Sequence, residues 1–211
     1  ELKLNPDGTE KEKSTGLDYD YITQYSYGVF ESLNLIAPGV QGGASSEDLG
    51  EDSDLYKFLI DNNVPKPQAD SFIKSVPTYW GSQPILEAPA YIGASVVFLF
   101  ILSLFVVKGP FKWWLLISFL LSLFLSWGKN LPMLTNFFID YIPFYNKFRA
   151  VSSIQVILEF AVPLLSVIGL NKFLADSELK NIKRSFAIFS VPLILLLVIS
   201  GSLSFVGLYD D

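Results

Sequence analysis

Along the second half of the chain, apolar residues run almost unbroken through 89–107, 111–127, 150–170 and 186–207. Each run is close to the ~20 residues that a helix rising ~1.5 Å per residue needs to cross a bilayer. In hydrocarbon only a helix or a closed barrel satisfies its own backbone, and none of the runs alternates apolar and polar positions as barrel strands do. The pattern therefore predicts four transmembrane helices. A shorter apolar series, Leu134, Phe137, Phe138, Tyr141 and Ile142, recurs at helical spacing between Pro132 and Pro143. It predicts an interfacial helix over about 131–142, feeding Lys147 and Arg149 into the third span. The expected fold class is an all-α membrane protein: residues 89–211 form the transmembrane region, and residues 1–88 form an acidic, mostly helical segment outside it.

Within that segment, Leu2-Lys3-Leu4 followed by Asn5-Pro6-Asp7-Gly8 reads as a strand end and a turn. From Asp20 to Leu35 the apolar residues Ile22, Tyr25, Val29, Phe30, Leu33 and Ile36 recur every three or four positions, which predicts an amphipathic helix ended by Pro38-Gly39. Residues 41–54, rich in Gly, Ser and acids, read as a flexible loop. Ser53 or Asp54 then caps a helix carrying Leu55, Phe58 and Leu59, and a second short helix falls between Pro67 and Val76.

Composition divides the chain at the same place. Residues 1–90 hold six Lys and fifteen Asp or Glu, net −9, whereas residues 91–211 hold nine Lys or Arg and six acids, net +3. The mean hydropathy of the whole is +0.41. An acidic segment and the lack of any basic tract argue against nucleic acid as a partner. With neither Cys nor His in the sequence, these residues supply no disulfide, thiolate nucleophile, His base or zinc site. Starting at Glu1 and ending on Asp210-Asp211, the chain reads as an internal piece of something larger, so that the rest of its own chain is an expected partner.

Cytoplasmic loops carry the excess of Lys and Arg. Lys108 and Lys112 follow the first span and Lys172, Lys180, Lys183 and Arg184 follow the third, against Lys129, Lys147 and Arg149 in the middle loop. This balance puts residues 1–88 and 128–149 outside. Trp113, Trp114 and Trp127 bracket the second span, and Tyr79, Trp80 and Tyr91 precede the first, as interfacial aromatics do.

The three outward cations run against the charge trend. They either balance the acidic segment and anionic headgroups or form a phosphate site, since Arg offers a planar fork of donors and Lys a point charge. Inside the third span, Gln155 and Glu159 lie four residues apart, hence on one helical face, with Pro163 a turn further. An ionisable group in hydrocarbon is costly, so Glu159 is expected to line the bundle interior, either in a functional role or in a hydrogen bond to another helix. Pro163 and Pro192 are candidate kink positions. The acids Glu47, Asp48, Glu51, Asp52 and Asp54 fail the spacing of a calcium loop and read as a solvated loop, so no metal ligand is expected. Tyr19, Tyr21, Tyr25 and Tyr27 are candidates for stacking on sugar rings, with headgroup anchoring or core packing as the competing role.

The stretches Tyr79-Trp80-Gly81-Ser82-Gln83-Pro84, Val107-Lys108-Gly109-Pro110-Phe111-Lys112-Trp113-Trp114, Leu125-Ser126-Trp127-Gly128-Lys129-Asn130 and Tyr145-Asn146-Lys147-Phe148-Arg149-Ala150-Val151-Ser152 resemble the YfhO-like family of bacterial multi-pass membrane proteins, over roughly Gly16 to Leu174. The resemblance implies a glycosyltransferase of the GT-C architecture in the bacterial cytoplasmic membrane. Such an enzyme moves a sugar from a polyprenyl-phosphate carrier to a cell-envelope polymer or glycan acceptor outside. It also implies that the catalytic carboxylate lies in a loop outside these residues. The Phe148-Arg149 pair matches the family's Phe-Arg motif, which carries a donor-phosphate role to Arg149, and Lys147 and Lys129 stand next in line. No cofactor is expected within these residues; a divalent cation, if the reaction uses one, belongs to the full-length protein. The competing expectations are a non-catalytic subunit for lipid-linked substrate transport, a scaffold of an envelope complex, and a protein-binding surface on the acidic segment.

Overall fold

A computed structural model describes residues 16–175 and 179–205, the last helix partly by its backbone alone. The expected strand end at Leu2–Leu4, its turn and the side chain of Pro192 lie outside the described residues. Eight α-helices follow one another: α1 Tyr19–Ile22, α2 Asp54–Asp61, α3 Lys66–Ile73, α4 Ala94–Val106, α5 Phe111–Ser126, α6 Pro132–Tyr141, α7 Gln155–Ala175 and α8 Leu179–Phe205. Among the described residues there is no strand; extended pairing is limited to isolated bridges, including Glu47 with Val76.

The four apolar runs are helical, but not to equal lengths. Val151–Ala175, a 3₁₀ turn continuing into α7, is the one helix among the described residues long and apolar enough to cross a membrane. Of its most apolar stretch, 39% is buried. The first run, expected from residue 89, becomes helical only at Ala94, because Gly93 adopts φ +109° and Pro89 stands before it. With 13 residues, α4 is ~20 Å long, and α5 with 16 is ~24 Å, both short of a ~30 Å hydrocarbon core.

The loop between α4 and α5 makes them an antiparallel hairpin, closed by Lys112, whose Nζ donates to the Leu104 carbonyl at 2.8 Å. The end of α5 meets the start of the third run, where Ser122 Oγ donates to the Ile154 carbonyl at 2.6 Å. From there α7 runs antiparallel to α5 and packs alongside α4. Phe100, Val107, Leu115, Ala161, Val162 and Leu165 form the buried core between the three. A Cβ on Gly169 would fall on the Ser103 side chain, so α4 and α7 approach closely there, as helices do where small residues face each other. On the other side of α4 lies α8, with Phe98 edge-on to Phe189 and Arg184 over the Phe105 ring. Large apolar side chains such as Trp114, Ile117, Val156, Phe160, Val167 and Val191 point outward from this bundle.

The bundle is polarised. Lys108 and Lys112 lie in or beside the α4–α5 loop, and Lys172, Lys180, Lys183 and Arg184 flank the junction of α7 and α8. At the opposite end stand the acidic segment, α6, and Lys129, Lys147 and Arg149.

The segment is less regular than its periodicity predicts. The expected helix over 20–35 is broken: α1 stops at Ile22, where Thr23 Oγ1 turns back to the Tyr19 carbonyl at 2.8 Å, and a 3₁₀ turn resumes at Phe30–Leu35. Between them Ser26 and Tyr27 turn inward against the end of α5, and those tertiary hydrogen bonds outweigh a helix of modest propensity. Ser53 caps α2 as expected, accepting from the Tyr56 amide, and α3 occupies the predicted second position. Tyr56, Ala69, Ile73 and Val76 form a small core between α2 and α3. The expected flexible loop over 41–54 is instead tied down: Glu47 and Val76 exchange both backbone hydrogen bonds, and Ser45 N–H donates to the Leu86 carbonyl.

Candidate functional site

Three stretches converge at the C-terminal end of α5. Tyr27 N–H donates to the Ser126 carbonyl at 2.8 Å, Asn130 Nδ2 returns a bond to the Tyr27 carbonyl at 2.8 Å, and the Lys129 amide donates to Ser26 Oγ at 2.9 Å. Ser152 N–H reaches the Tyr25 carbonyl at 3.1 Å, and Leu17 N–H reaches the Asn146 carbonyl at 2.9 Å. Trp127 Nε1 donates to Ser32 Oγ at 2.8 Å, which ties this aromatic into the joint. Gly128, at φ +46°, leaves room for Ser26 that any side chain would fill.

The segment's own interior is polar. Glu31 is fully buried, and its carboxylate accepts from the Gly28 amide, the Tyr79 hydroxyl and Ser82 Oγ. Three donors on one carboxylate satisfy its charge without a cation. Burial, and then the hydrogen bond to Glu31, hold the Tyr79 hydroxyl above its ordinary pKa; burial and the Glu31 charge do the same for Tyr27.

Above this joint the chain reverses through residues 144–150. Phe144 and Ala150 both take left-handed conformations, φ +68° and +63°, which side-chain-bearing residues adopt at a cost. The bend lays Arg149 back over α1. Its guanidinium carbon stands 4.7 Å from the Tyr21 ring centre and 5.1 Å from that of Tyr25. Nη2 donates to Gln24 Oε1 at 3.0 Å and Nη1 to the Tyr21 hydroxyl at 3.3 Å. Stacking and two neutral acceptors orient the fork without neutralising it, and the side chain is exposed. Beside it opens a cleft of about 300 Å³ lined by Tyr145, Phe148, Val151, Ile154 and Arg149 itself. Burial raises the Tyr145 hydroxyl above its ordinary pKa.

Lys129 lines a different cleft, of about 370 Å³, with Tyr19, Asp20, Gln24 and Ser82. Lys147 is exposed on the turn before Arg149 and lines neither. The three expected phosphate-binding cations are thus at one end of the molecule but not around one point. The four candidate tyrosines also separate: Tyr27 is buried core, Tyr21 and Tyr25 cradle Arg149, and Tyr19 faces the Lys129 cleft.

The α7 pair divides as well. Gln155 is buried and its Nε2 donates to Ser126 Oγ at 3.3 Å. Glu159, expected to line the bundle interior, is exposed instead. Ser166 Oγ donates to the Val96 carbonyl in the first turn of α4, so Glu159, seven residues earlier, lies ~10 Å beyond that point toward the segment. Its charge is felt by Tyr27. Among the acids of the 41–54 loop, Glu47 accepts from Thr78 Oγ1, Asp48 from the Gly50 amide, and Asp54 pairs with Lys57. No three carboxylates converge among the described residues.

Asp20 and Gln24 were not marked by the sequence. Asp20 lies in α1 and Gln24 just past its C-terminal cap at Thr23, and two polar residues four apart are common in any sequence. No family model, curated protein or solved structure matches this chain.

Proposed function

We propose that the chain is part of a polytopic membrane glycosyltransferase that takes a sugar from a polyprenyl-phosphate carrier and passes it to a cell-envelope acceptor outside a bacterial cytoplasmic membrane. In this reading α4, α5, α7 and α8 are four spans. The shorter pair is accommodated by local thinning of the bilayer and by the apolar residues flanking each helix. The end bearing six cations faces the cytoplasm, in keeping with the charge bias of inner loops. On the outer side α6 lies in the interface, its Met133, Phe137 and Tyr141 side chains exposed to lipid.

The observation that carries the reading is Arg149. A guanidinium oriented by two aromatic rings, left without an anionic partner among the described residues, borders an apolar cleft at the head of the membrane-length helix. That arrangement suits a lipid phosphate: the polyprenyl chain takes the apolar wall and the phosphate takes the fork. When the sugar departs, negative charge grows on the carrier phosphate, and a preoriented cation stabilises it without reorganising. The word-level resemblance to the YfhO-like family supplies the reaction class, and the catalytic carboxylate is assigned to residues outside this chain.

The test is transfer and donor binding by the protein in nanodiscs, using a radiolabelled polyprenyl-phosphate sugar. Arg149→Ala is expected to lower both by about tenfold or more, the scale of losing a hydrogen-bonded ion contact. Unchanged transfer by an inserted, folded Arg149→Ala protein overturns the reading. A second reading, a non-catalytic subunit that moves or scaffolds lipid-linked substrate, draws on exposed Glu159 on the membrane-length helix. It predicts that Glu159→Gln abolishes transport while donor turnover is retained.

A further inference from the structure

We propose that the cleft between α1 and the turn 128–130 is a sugar subsite, which receives the neutral hexose head of the same lipid whose phosphate meets Arg149. The inference rests on the lipid-phosphate reading above and adds to it the site and the residues that would distinguish a glycosylated carrier from a bare one.

Three observations carry it. Gln24 belongs to both places: its Oε1 accepts from Arg149 at 3.0 Å, and its side chain lines the cleft that contains Lys129. A group joined to a phosphate at Arg149 is therefore within one side chain of this cleft. The volume, about 370 Å³, falls at the lower end of the ~300–1,000 Å³ range of small-molecule sites, which suits a single sugar ring better than an oligosaccharide. The lining has the mixed chemistry of polyol recognition. The Asp20 carboxylate accepts from hydroxyls, Lys129 donates, the Gln24 amide does both, Ser82 Oγ, whose own proton goes to Glu31, accepts, and the Tyr19 ring offers a flat apolar face to the C–H side of a pyranose.

Charge decides between a sugar and a second phosphate. Lys129 and Asp20 bring one cation and one anion to the same small cleft, so an additional phosphate would gain from one and be repelled by the other. A neutral hydroxylated ring uses both. The neighbouring cleft, walled by Tyr145, Phe148, Val151 and Ile154, takes the hydrocarbon.

The experiment compares binding of a short-chain polyprenyl phosphate with that of the same lipid carrying glucose on its phosphate, by the protein in nanodiscs. Wild type is expected to prefer the glucosylated lipid by about tenfold, the scale of one hydrogen bond to a charged group. Asp20 is exposed on α1, so Asp20→Ala leaves the fold intact and the bare lipid phosphate bound at least as tightly, one repelling charge being removed, while the preference disappears; Asp20→Asn retains part of it. Arg149→Ala weakens both lipids alike. An Asp20→Ala protein that keeps the full preference, or a wild type that binds both lipids equally well, overturns the sugar subsite and leaves the phosphate site standing. Wild type binding neither lipid overturns both.

Discussion

Replacing Gly169 with Ala tests the close approach of α7 to α4 at Ser103. A Cβ there would stand 2.8 Å from the Ser103 Cα and closer still to its side chain. Part of the obstruction is backbone, which cannot rotate away. Overpacking of this kind costs ~1–3 kcal/mol, while exchanging Gly for Ala inside a helix gains about 0.8–1.0 kcal/mol where nothing obstructs it. Subtracting the gain from the middle of the range leaves a net loss of about 1 kcal/mol, opposite in sign to the propensity effect alone. Unfolding by SDS in mixed micelles, followed through tryptophan fluorescence, measures it. Ser103→Gly in the same protein removes the Cβ and hydroxyl that the new methyl strikes. The double-mutant cycle should then return a favourable coupling of about 1 kcal/mol between the two positions. A Gly169→Ala protein as stable as wild type, or more so, would refute the close packing of α4 on α7.

Two further outcomes concern the segment. Ser53→Ala removes the α2 cap and should lower the protection of the α2 amides in hydrogen exchange by the equivalent of about 1 kcal/mol. Tyr56 is pushed up to about 12 by its hydrogen bond to Asp70, with burial adding to it. A raised folded-state pKa stabilises the fold fully below the unfolded value of 10.0 and loses that share as pH rises through about 12. Denaturation midpoints should therefore fall more steeply over that window in wild type than in Tyr56→Phe, and parallel slopes would remove the role assigned to the Asp70 bond.

Where structure follows local chemistry, the sequence was sufficient. The Ser53 cap and α6 between its prolines stand where their signals put them, and the helix expected between Pro67 and Val76 forms at Lys66–Ile73. It failed where distant residues decide. The apolar spacing over 20–35 satisfies a helix, yet Ser26 and Tyr27 are held by Lys129, Ser126 and Asn130, partners that no local window contains. Glu159 was expected in the bundle interior because span length alone sets no depth. Glu159 lies beyond the first turn of α4, while Leu158, Ala161 and Val162 take the buried face of α7. Of the candidate site, the Arg149 turn was legible as a basic pair after a short proline-bounded helix. Its division into two clefts was not, since it depends on how α1 crosses the turn.

The bonds that join Ser26 and Tyr27 to Lys129 and Asn130 span 103 positions of sequence, and this fixes an order of assembly. When the segment leaves the ribosome, the helix end that receives it has not been made. At ~5–20 residues per second, ~100 further residues take ~5–20 s. During that interval Ser26 and Tyr27 lack these partners, because both α4 and α5 must be made before they exist. A net charge of −9 over residues 1–90 favours a hydrated, self-repelling segment until the end of α5 completes the surface on which it folds.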